Sequence, residues 1–118
     1  MLPAVTGLSL NSIAETDQRL KLLELMVLAR EGDRREEILH RQGKGWFQVS
    51  CSGHESLAAL ALLMNPDDYL FTYYRSRAMV LARGMTNYQL ALAFFAKRDS
   101  SSGGRQMPGH PSDRKLNI

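Results

Sequence analysis

Residues 69–74, Tyr69-Leu70-Phe71-Thr72-Tyr73-Tyr74, form an unbroken apolar and aromatic run closed by Arg75. A run of this length and composition matches a strand covered on both faces, as in a parallel sheet. A strand of that kind needs a partner on each edge. No other part of the chain offers one, because the remaining apolar stretches have the length and spacing of helices. The run therefore predicts one strand without its full set of neighbours and argues against a closed sheet within these residues. It also delivers Arg75 to the C-terminal end of a strand where a helix begins, the end at which open α/β sheets bind ligands.

The rest of the chain reads as mainly helical. Residues 1–14 mix Pro, Gly, Ser and Asn with apolar residues and read as an extended arm. A helix is predicted from about Thr16 to Arg30. It is apolar nearly all round, the mark of a buried helix. Gly32 and Asp33 predict a break, with Asp33 capping a second, more polar helix to about Gln42. Gly43-Lys44-Gly45 is a turn, and residues 46–49 are a short extended piece. A third helix opens at residues 52–55 and continues through the apolar residues 57–64. Residues 65–68 turn the chain into the strand. A fourth helix is predicted over about residues 76–83 and a fifth from Thr86 or Asn87 to about Lys97. Residues 99–118 read as loop.

The expected architecture is thus a single partial domain over residues 1–118, with residues 15–98 helical around one strand at 69–74. It holds four or five helices and one or two short strands. An orphan strand, two helices apolar all round and a long loop are together most simply explained as the N-terminal part of a larger α/β protein. The alternative is a helical protein that buries these faces by self-association, with residues 57–64 at or near the contact.

The composition narrows the classes. A net charge of +3 is spread along the chain without a dense basic run, so a nucleic-acid-binding arm is not indicated. The single cysteine, Cys51, excludes an intrachain disulfide and fits a reducing compartment. The first residues lack the charged start and apolar core of a signal peptide. The longest apolar run, residues 57–64, is far short of a membrane span. A soluble cytoplasmic protein is the expectation.

Two segments carry candidate chemistry. The guanidinium of Arg75 is a permanent cation whose fork of donors suits phosphate oxygens, and a neighbouring tyrosine hydroxyl can add a hydrogen bond. The bland alternative is a strand-end aromatic beside a solvated arginine. The second segment is Gly103-Gly104-Arg105-Gln106-Met107-Pro108-Gly109-His110. Successive N–H groups in Gly-rich turns can form an anion-binding nest. No Gly-x-x-x-x-Gly-Lys-Ser/Thr string is present, so this is not a P-loop. His40, His54 and His110 are not at metal-ligand spacing, and no metal site is read from them. His54 beside Glu55 could form an acid–base pair or simply open a helix. Cys51 reads as a small buried residue rather than a reactive thiol.

Arg41-Gln42-Gly43-Lys44, Phe47, Gly53-His54-Glu55, Asp68 with Tyr74-Arg75, Arg83-Gly84 and the Gly103 to His110 string occur in a characteristic order and spacing. In this the chain resembles the alpha subunit of the thiamine-diphosphate-dependent dehydrogenase component of 2-oxo acid dehydrogenase complexes. The resemblance covers about residues 15–112, and Gly104-Arg105-Gln106-Met107-Pro108 is most similar to the branched-chain (2-oxoisovalerate) members. Related pyruvate and acetoin dehydrogenase subunits, or a non-catalytic helical assembly module, are the alternatives.

The resemblance implies an enzyme that oxidatively decarboxylates a branched-chain 2-oxo acid and passes the acyl group to lipoyl-lysine on an acyltransferase core. It implies thiamine diphosphate with Mg²⁺, held between alpha and beta subunits of a heterotetramer. Residue by residue, Tyr74 and Arg75, with Tyr73 beside them, match the positions that bind the cofactor diphosphate. Arg105, Gln106 and Met107 match the start of an active-site loop, and His110 a catalytic histidine position. Tyr73 stands where relatives often carry glutamine, and His54 where they carry glutamine or glutamate. Ser76-Arg77 replaces an acidic residue followed by histidine or alanine. The family's Gly-Asp-Gly metal segment has no counterpart here. An N-terminal fragment, inactive alone, is the expectation.

Overall fold

The computed structural model describes residues 16–118. The proposed arm, residues 1–14, lies outside them. Thr16 to Arg41 form one continuous helix, α1, of 26 residues. Leu22, Leu25 and Ala29 repeat at helical spacing along its inner face and enter the core. Leu20, Leu23 and Val27 point the other way and are exposed, so the helix buries a stripe rather than its whole circumference.

The break predicted at Gly32 and Asp33 does not occur. Glycine costs about 1 kcal/mol relative to alanine inside a helix, but here a side chain has no room. A Cβ on Gly32 would collide with Asn87 Oδ1 and sit 2.7 Å from Arg77 Nη2. Asp33 is no cap: it is buried and accepts hydrogen bonds from Gln48 Nε2 (3.1 Å) and Ser50 Oγ (2.9 Å). The sequence signal for a break is a contact point for other parts of the chain.

Three short helices pack onto α1: α2 (Leu57–Leu63), α3 (Arg77–Ala82) and α4 (Asn87–Phe94). α3 is central, with five of its six residues buried. A six-residue helix is too short to hold itself, so packing on all sides maintains it. On one side Ala78 and Leu81 meet Leu25, Ala29 and Ala58. The alanines let α1, α2 and α3 approach closely. On the other side Met79 and Val80 join Ala61, Leu70 and Met85. α4 opens on a reciprocal cap, Gln89 N to Thr86 Oγ1 (3.2 Å) and Thr86 N to Gln89 Oε1 (2.8 Å), a motif that contributes about 1 kcal/mol. It ends at Phe94, a turn earlier than predicted. On the other flank of α2, Leu60, Leu62 and Leu63 remain exposed, so the expectation of a helix buried on every side is not met within this chain.

Among the described residues there is no β-strand. Residues 69–73 have no regular secondary structure, and their one backbone bond to a distant segment is Leu70 N donating to Asn117 O at 2.8 Å. Leu70 points into the core while Tyr69 and Phe71 are 72% and 95% exposed. The sequence correctly marks the run as short of neighbours. Without a second strand to pair with, the backbone makes no ladder. The structure is mainly helical, as expected, and the strand is not part of it.

Residues 99–118 are irregular but closely held. The chain ends in a 3₁₀ turn, Arg114–Leu116, with Leu116 and Ile118 packed against the second core cluster. Arg83 ties this end down. Its guanidinium donates to the carbonyls of Asn65 (2.8 Å), Pro66 (2.9 Å), Asp68 (2.8 Å) and Leu116 (3.2 Å). No helix of the described residues is long and apolar enough to cross a membrane.

Candidate functional site

The turn at Tyr74 and Arg75 leads directly into α3, so the anchored core helix positions both side chains. Ser76 Oγ accepts from Tyr73 N at 3.2 Å and tightens the corner. Arg75 lies over the Tyr74 ring, 5.4 Å from its centroid, in a cation–π arrangement. Its Nη1 donates to Ser50 O. Ser50 in turn donates to buried Asp33, so the guanidinium rests on a segment fixed from below by α1. Among the described residues, Ser50 is the hydrogen-bond partner of Arg75, which leaves the rest of its donor fork available.

The rings extend from this corner in both directions. Tyr73 packs edge-on against Tyr74 with centroids 5.0 Å apart. His110 reaches the other flank of Tyr74, 6.4 Å between ring centroids. Gly109 makes that approach possible. Its φ is +85°, and a Cβ there would lie 3.3 Å from Tyr74 Cβ. The hydrogen bond of Thr72 Oγ1 to Pro111 O, 3.4 Å, fastens the same two segments. Sequence positions 73–75 and 109–110 are thus brought together, as the candidate site requires.

The start of the Gly-rich segment is placed differently. Gly103 N donates to Ser100 O (2.9 Å), Gly104 N to Ser100 Oγ (2.8 Å) and Gln106 N to Ser102 Oγ (2.9 Å). A nest needs free N–H groups, and these are taken by the serines that precede them. The anion-nest reading of this turn is therefore corrected: it is a self-satisfied turn. Arg105 Nε bonds back to Ser102 O at 3.0 Å and is not joined to the tyrosines. Gln106 accepts from Ser112 Oγ (3.3 Å) and lines a shallow depression with Phe71, Thr72 and His110. Met107 is exposed nearby.

His54 is a member of the group that the spacing did not single out. Its Nδ1 is 3.3 Å from the Tyr73 hydroxyl, with the rings edge to face. It does not pair with Glu55. That carboxylate is buried and bonds Arg30 Nε and Gly53 N (2.9 Å). The Arg30 hydrogen bond holds the Glu55 carboxyl below the usual carboxylate range, against the opposing effect of burial. The stability contributed by this depressed group is complete above the ordinary glutamate value of about 4.3. It is lost as pH falls from there through the lowered folded value. Thermal unfolding followed from neutral pH downward should show the midpoint dropping below about pH 4. The drop should be shallower in Glu55→Gln. An unchanged acid slope in that variant would remove Glu55 from the explanation.

Cys51 lies beneath the corner, its Sγ 3.6 Å from Tyr74 O, and burial pushes the thiol up to about 11. It is the small, buried residue the sequence suggested. Below it, Arg77 is 9% exposed, clasps Glu36 with two bonds (2.8 and 3.0 Å) and reaches Asn87 Oδ1 at 2.8 Å. A small cavity of about 40 Å³ lies here, bounded by Asp33, Glu36, Cys51, Tyr74 and Arg77. The sequence marks Arg77 only as a departure from the family pattern; that it sits opposite Gly32 is seen in the structure alone. Among the described residues no three His, Cys, Asp or Glu side chains converge to hold a metal ion.

These residues match known proteins. Residues 23–118 match the family model described as "Dehydrogenase E1 component". The chain is 44% identical over 107 residues to the 2-oxoisovalerate dehydrogenase subunit alpha of Bacillus subtilis (strain 168). That alignment covers 87% of this chain and 32% of the relative, so the chain spans about a third of the bacterial protein. The mitochondrial 2-oxoisovalerate dehydrogenase subunits alpha 2 and alpha 1 of Arabidopsis thaliana are 36% and 35% identical over 78 residues. Each of these two alignments covers 65% of this chain and 16% of the plant protein. With a family match running through the core helices, the aromatic corner and the Gly-rich segment alike, the chain belongs to the dehydrogenase E1 component family.

Proposed function

We propose that this chain works as part of the alpha subunit of a 2-oxoisovalerate dehydrogenase, an oxidoreductase acting on branched-chain 2-oxo acids with thiamine diphosphate. The observation that carries the proposal is the corner at residues 73–75. A permanent cation lies on the Tyr74 ring, Tyr73 packs against the same ring, and both tyrosines stay partly exposed on a turn that leads into α3. The family match over residues 23–118 spans this corner, and the chain is 44% identical to a named 2-oxoisovalerate dehydrogenase alpha subunit.

The residues suit a diphosphate. Arg75 offers unpaired donors, and the acidic groups closest in the network, Asp33 and Glu55, are buried and engaged elsewhere. Among the described residues no carboxylate is bonded to the side chains of Tyr73, Tyr74 or Arg75. Bound there, thiamine diphosphate supplies the electron sink on which a 2-oxo acid loses carbon dioxide. The work of this chain is to hold and orient. Arg75 and the Tyr74 and Tyr73 hydroxyls would hold the diphosphate. His110, against Tyr74, is the side chain able to move a proton next to that grip. Arg105, Gln106 and Met107 form the loop bordering the approach. The accompanying Mg²⁺ is assigned to groups other than these, since no carboxylate cluster adjoins the corner.

The exposed leucines of α2 and the outer stripe of α1 suit burial against partners. We assign them to the beta subunit and to association between copies of the chain. A lipoyl-bearing acyltransferase core is the acyl acceptor in this reading. The test is reconstitution with the beta subunit and cofactor. Release of carbon dioxide from 2-oxoisovalerate should exceed that from pyruvate by at least about tenfold, a margin of about 1.4 kcal/mol that is ordinary for a pocket shaped to a branched side chain. Equal rates, or faster turnover of pyruvate, would exchange this reading for a pyruvate dehydrogenase.

A further inference from the structure

We infer that His54 is a positioning residue for the anion grip, acting through the Tyr73 hydroxyl. The inference rests on the diphosphate reading above and adds to it a residue on a separate segment of the chain.

A phenol hydroxyl has one proton to give. At an anion site that proton must point to the ligand, because a hydroxyl that spends it elsewhere presents only lone pairs to the anion. The Tyr73 hydroxyl has one polar side-chain neighbour at hydrogen-bond distance among the described residues, His54 Nδ1 at 3.3 Å. With Nδ1 as the donor, the bond fills a lone pair of the phenol oxygen and frees its proton to point outward. A chain of donors then runs from His54 Nδ1–H to Tyr73 Oη–H and on to a diphosphate oxygen. Each hydrogen bond in such a chain polarises the next.

The inference takes Nδ1 as the protonated ring nitrogen. The neighbouring carboxylate, Glu55, is held by Arg30 and by Gly53 N, so it does not compete for the imidazole proton. Tyr74 packs against Tyr73, and Arg75 and His110 each lie against Tyr74 in turn, so a permanent cation stands one ring away from Tyr73 to draw an anion to the corner. The His54 backbone is fixed at both ends, its N–H on Cys51 O at 3.0 Å and its carbonyl on Leu57 N at 3.2 Å. The ring is therefore aimed by its own turn before any ligand arrives.

The experiment measures thiamine diphosphate binding by calorimetry in the assembled alpha–beta enzyme containing this chain. His54→Ala should weaken binding about 3- to 10-fold, the worth of one oriented hydrogen bond. Tyr73→Phe should do the same. The double variant should be no weaker than the weaker single, because both remove one interaction. His54→Asn should recover most of the loss, since an Asn amide N–H occupies nearly the place of Nδ1–H. A merely structural histidine would lower the melting temperature without these affinity changes and would not be rescued in this way. Wild-type affinity in His54→Ala, or singles whose effects multiply in the double, would overturn the inference. Arg75→Ala in the same series separates the two levels. If it binds weakly while His54→Ala binds normally, the His54 inference alone fails. If it too binds normally, the diphosphate reading fails and the inference with it.

Discussion

Arg75→Ala should weaken thiamine diphosphate binding in the assembled enzyme by roughly 30-fold to several thousand-fold. Removing one partner of a desolvated, hydrogen-bonded charge pair costs roughly 2–5 kcal/mol, and each 1.4 kcal/mol is about tenfold. Arg75 is suited to a loss of that size because its side chain is aimed in advance. One guanidinium nitrogen is anchored on Ser50 O, and the plane lies on the Tyr74 ring. Little side-chain freedom remains to be lost when the anion arrives. Arg75→Lys should recover only part of the affinity, because an ammonium cannot hold Ser50 and a diphosphate with one rigid fork. Arg34, exposed on α1, supplies the control: Arg34→Ala removes the same formal charge and should bind cofactor normally. Calorimetry or cofactor-dependent fluorescence quenching reads all three. Unchanged affinity in Arg75→Ala would return the corner to a solvent-facing turn.

The largest stability loss should come from Arg77→Ala, at about 3–5 kcal/mol. The Arg77 and Glu36 side chains are 8% and 15% exposed and joined by two hydrogen bonds, with Asn87 Oδ1 completing the guanidinium's set. Truncating the arginine strands the Glu36 carboxylate in a poorly solvated place and leaves the Asn87 oxygen unpaired. Asn87 also donates to Leu28 O at 3.0 Å, so the same loss loosens α4 from α1. The paired replacement Arg77→Met with Glu36→Leu should recover much of the stability, because removing both charges removes the stranded one. Urea unfolding of the purified chain measures both. If Arg77→Ala costs under 1 kcal/mol, roughly the range of exposed ion pairs, the cluster is not the clamp described here.

The helices and the site were legible from the sequence to different depths. Helix positions in residues 57–94 followed from apolar spacing and from the cap candidates Thr86 and Asn87, of which Thr86 is the cap, joined reciprocally with Gln89. Arg75 with Tyr74 and His110 could be singled out because the side-chain types themselves carry the chemistry. Gly32 was misread because the glycine in α1 answers a demand from Arg77 and Asn87, 45 and 55 residues later, which no local rule can sense. The strand at 69–74 failed for a related reason. A strand is a relation between two segments, and composition reports only one of them. The Gly-rich turn had the glycines of a nest, but whether its N–H groups are free depends on where the hydroxyls of Ser100 and Ser102 fall. His54 went unranked because its partner, Tyr73, is 19 positions away.

The four-carbonyl grip of Arg83 also sets an order of events at the ribosome. Three of its acceptors precede the arginine in the chain, but the fourth, Leu116 O, is made 33 residues later. At about 5–20 residues per second, that interval lasts roughly two to seven seconds. During it the α1–α2–α3 cluster is already complete in sequence, whereas the second cluster still lacks Leu116 and Ile118. Residues 109–111, which flank Tyr74, are added late in the same interval. The aromatic corner is thus complete in sequence before the second cluster beneath it, and a pause in translation before residue 116 would prolong the exposure of Leu70 and Met79.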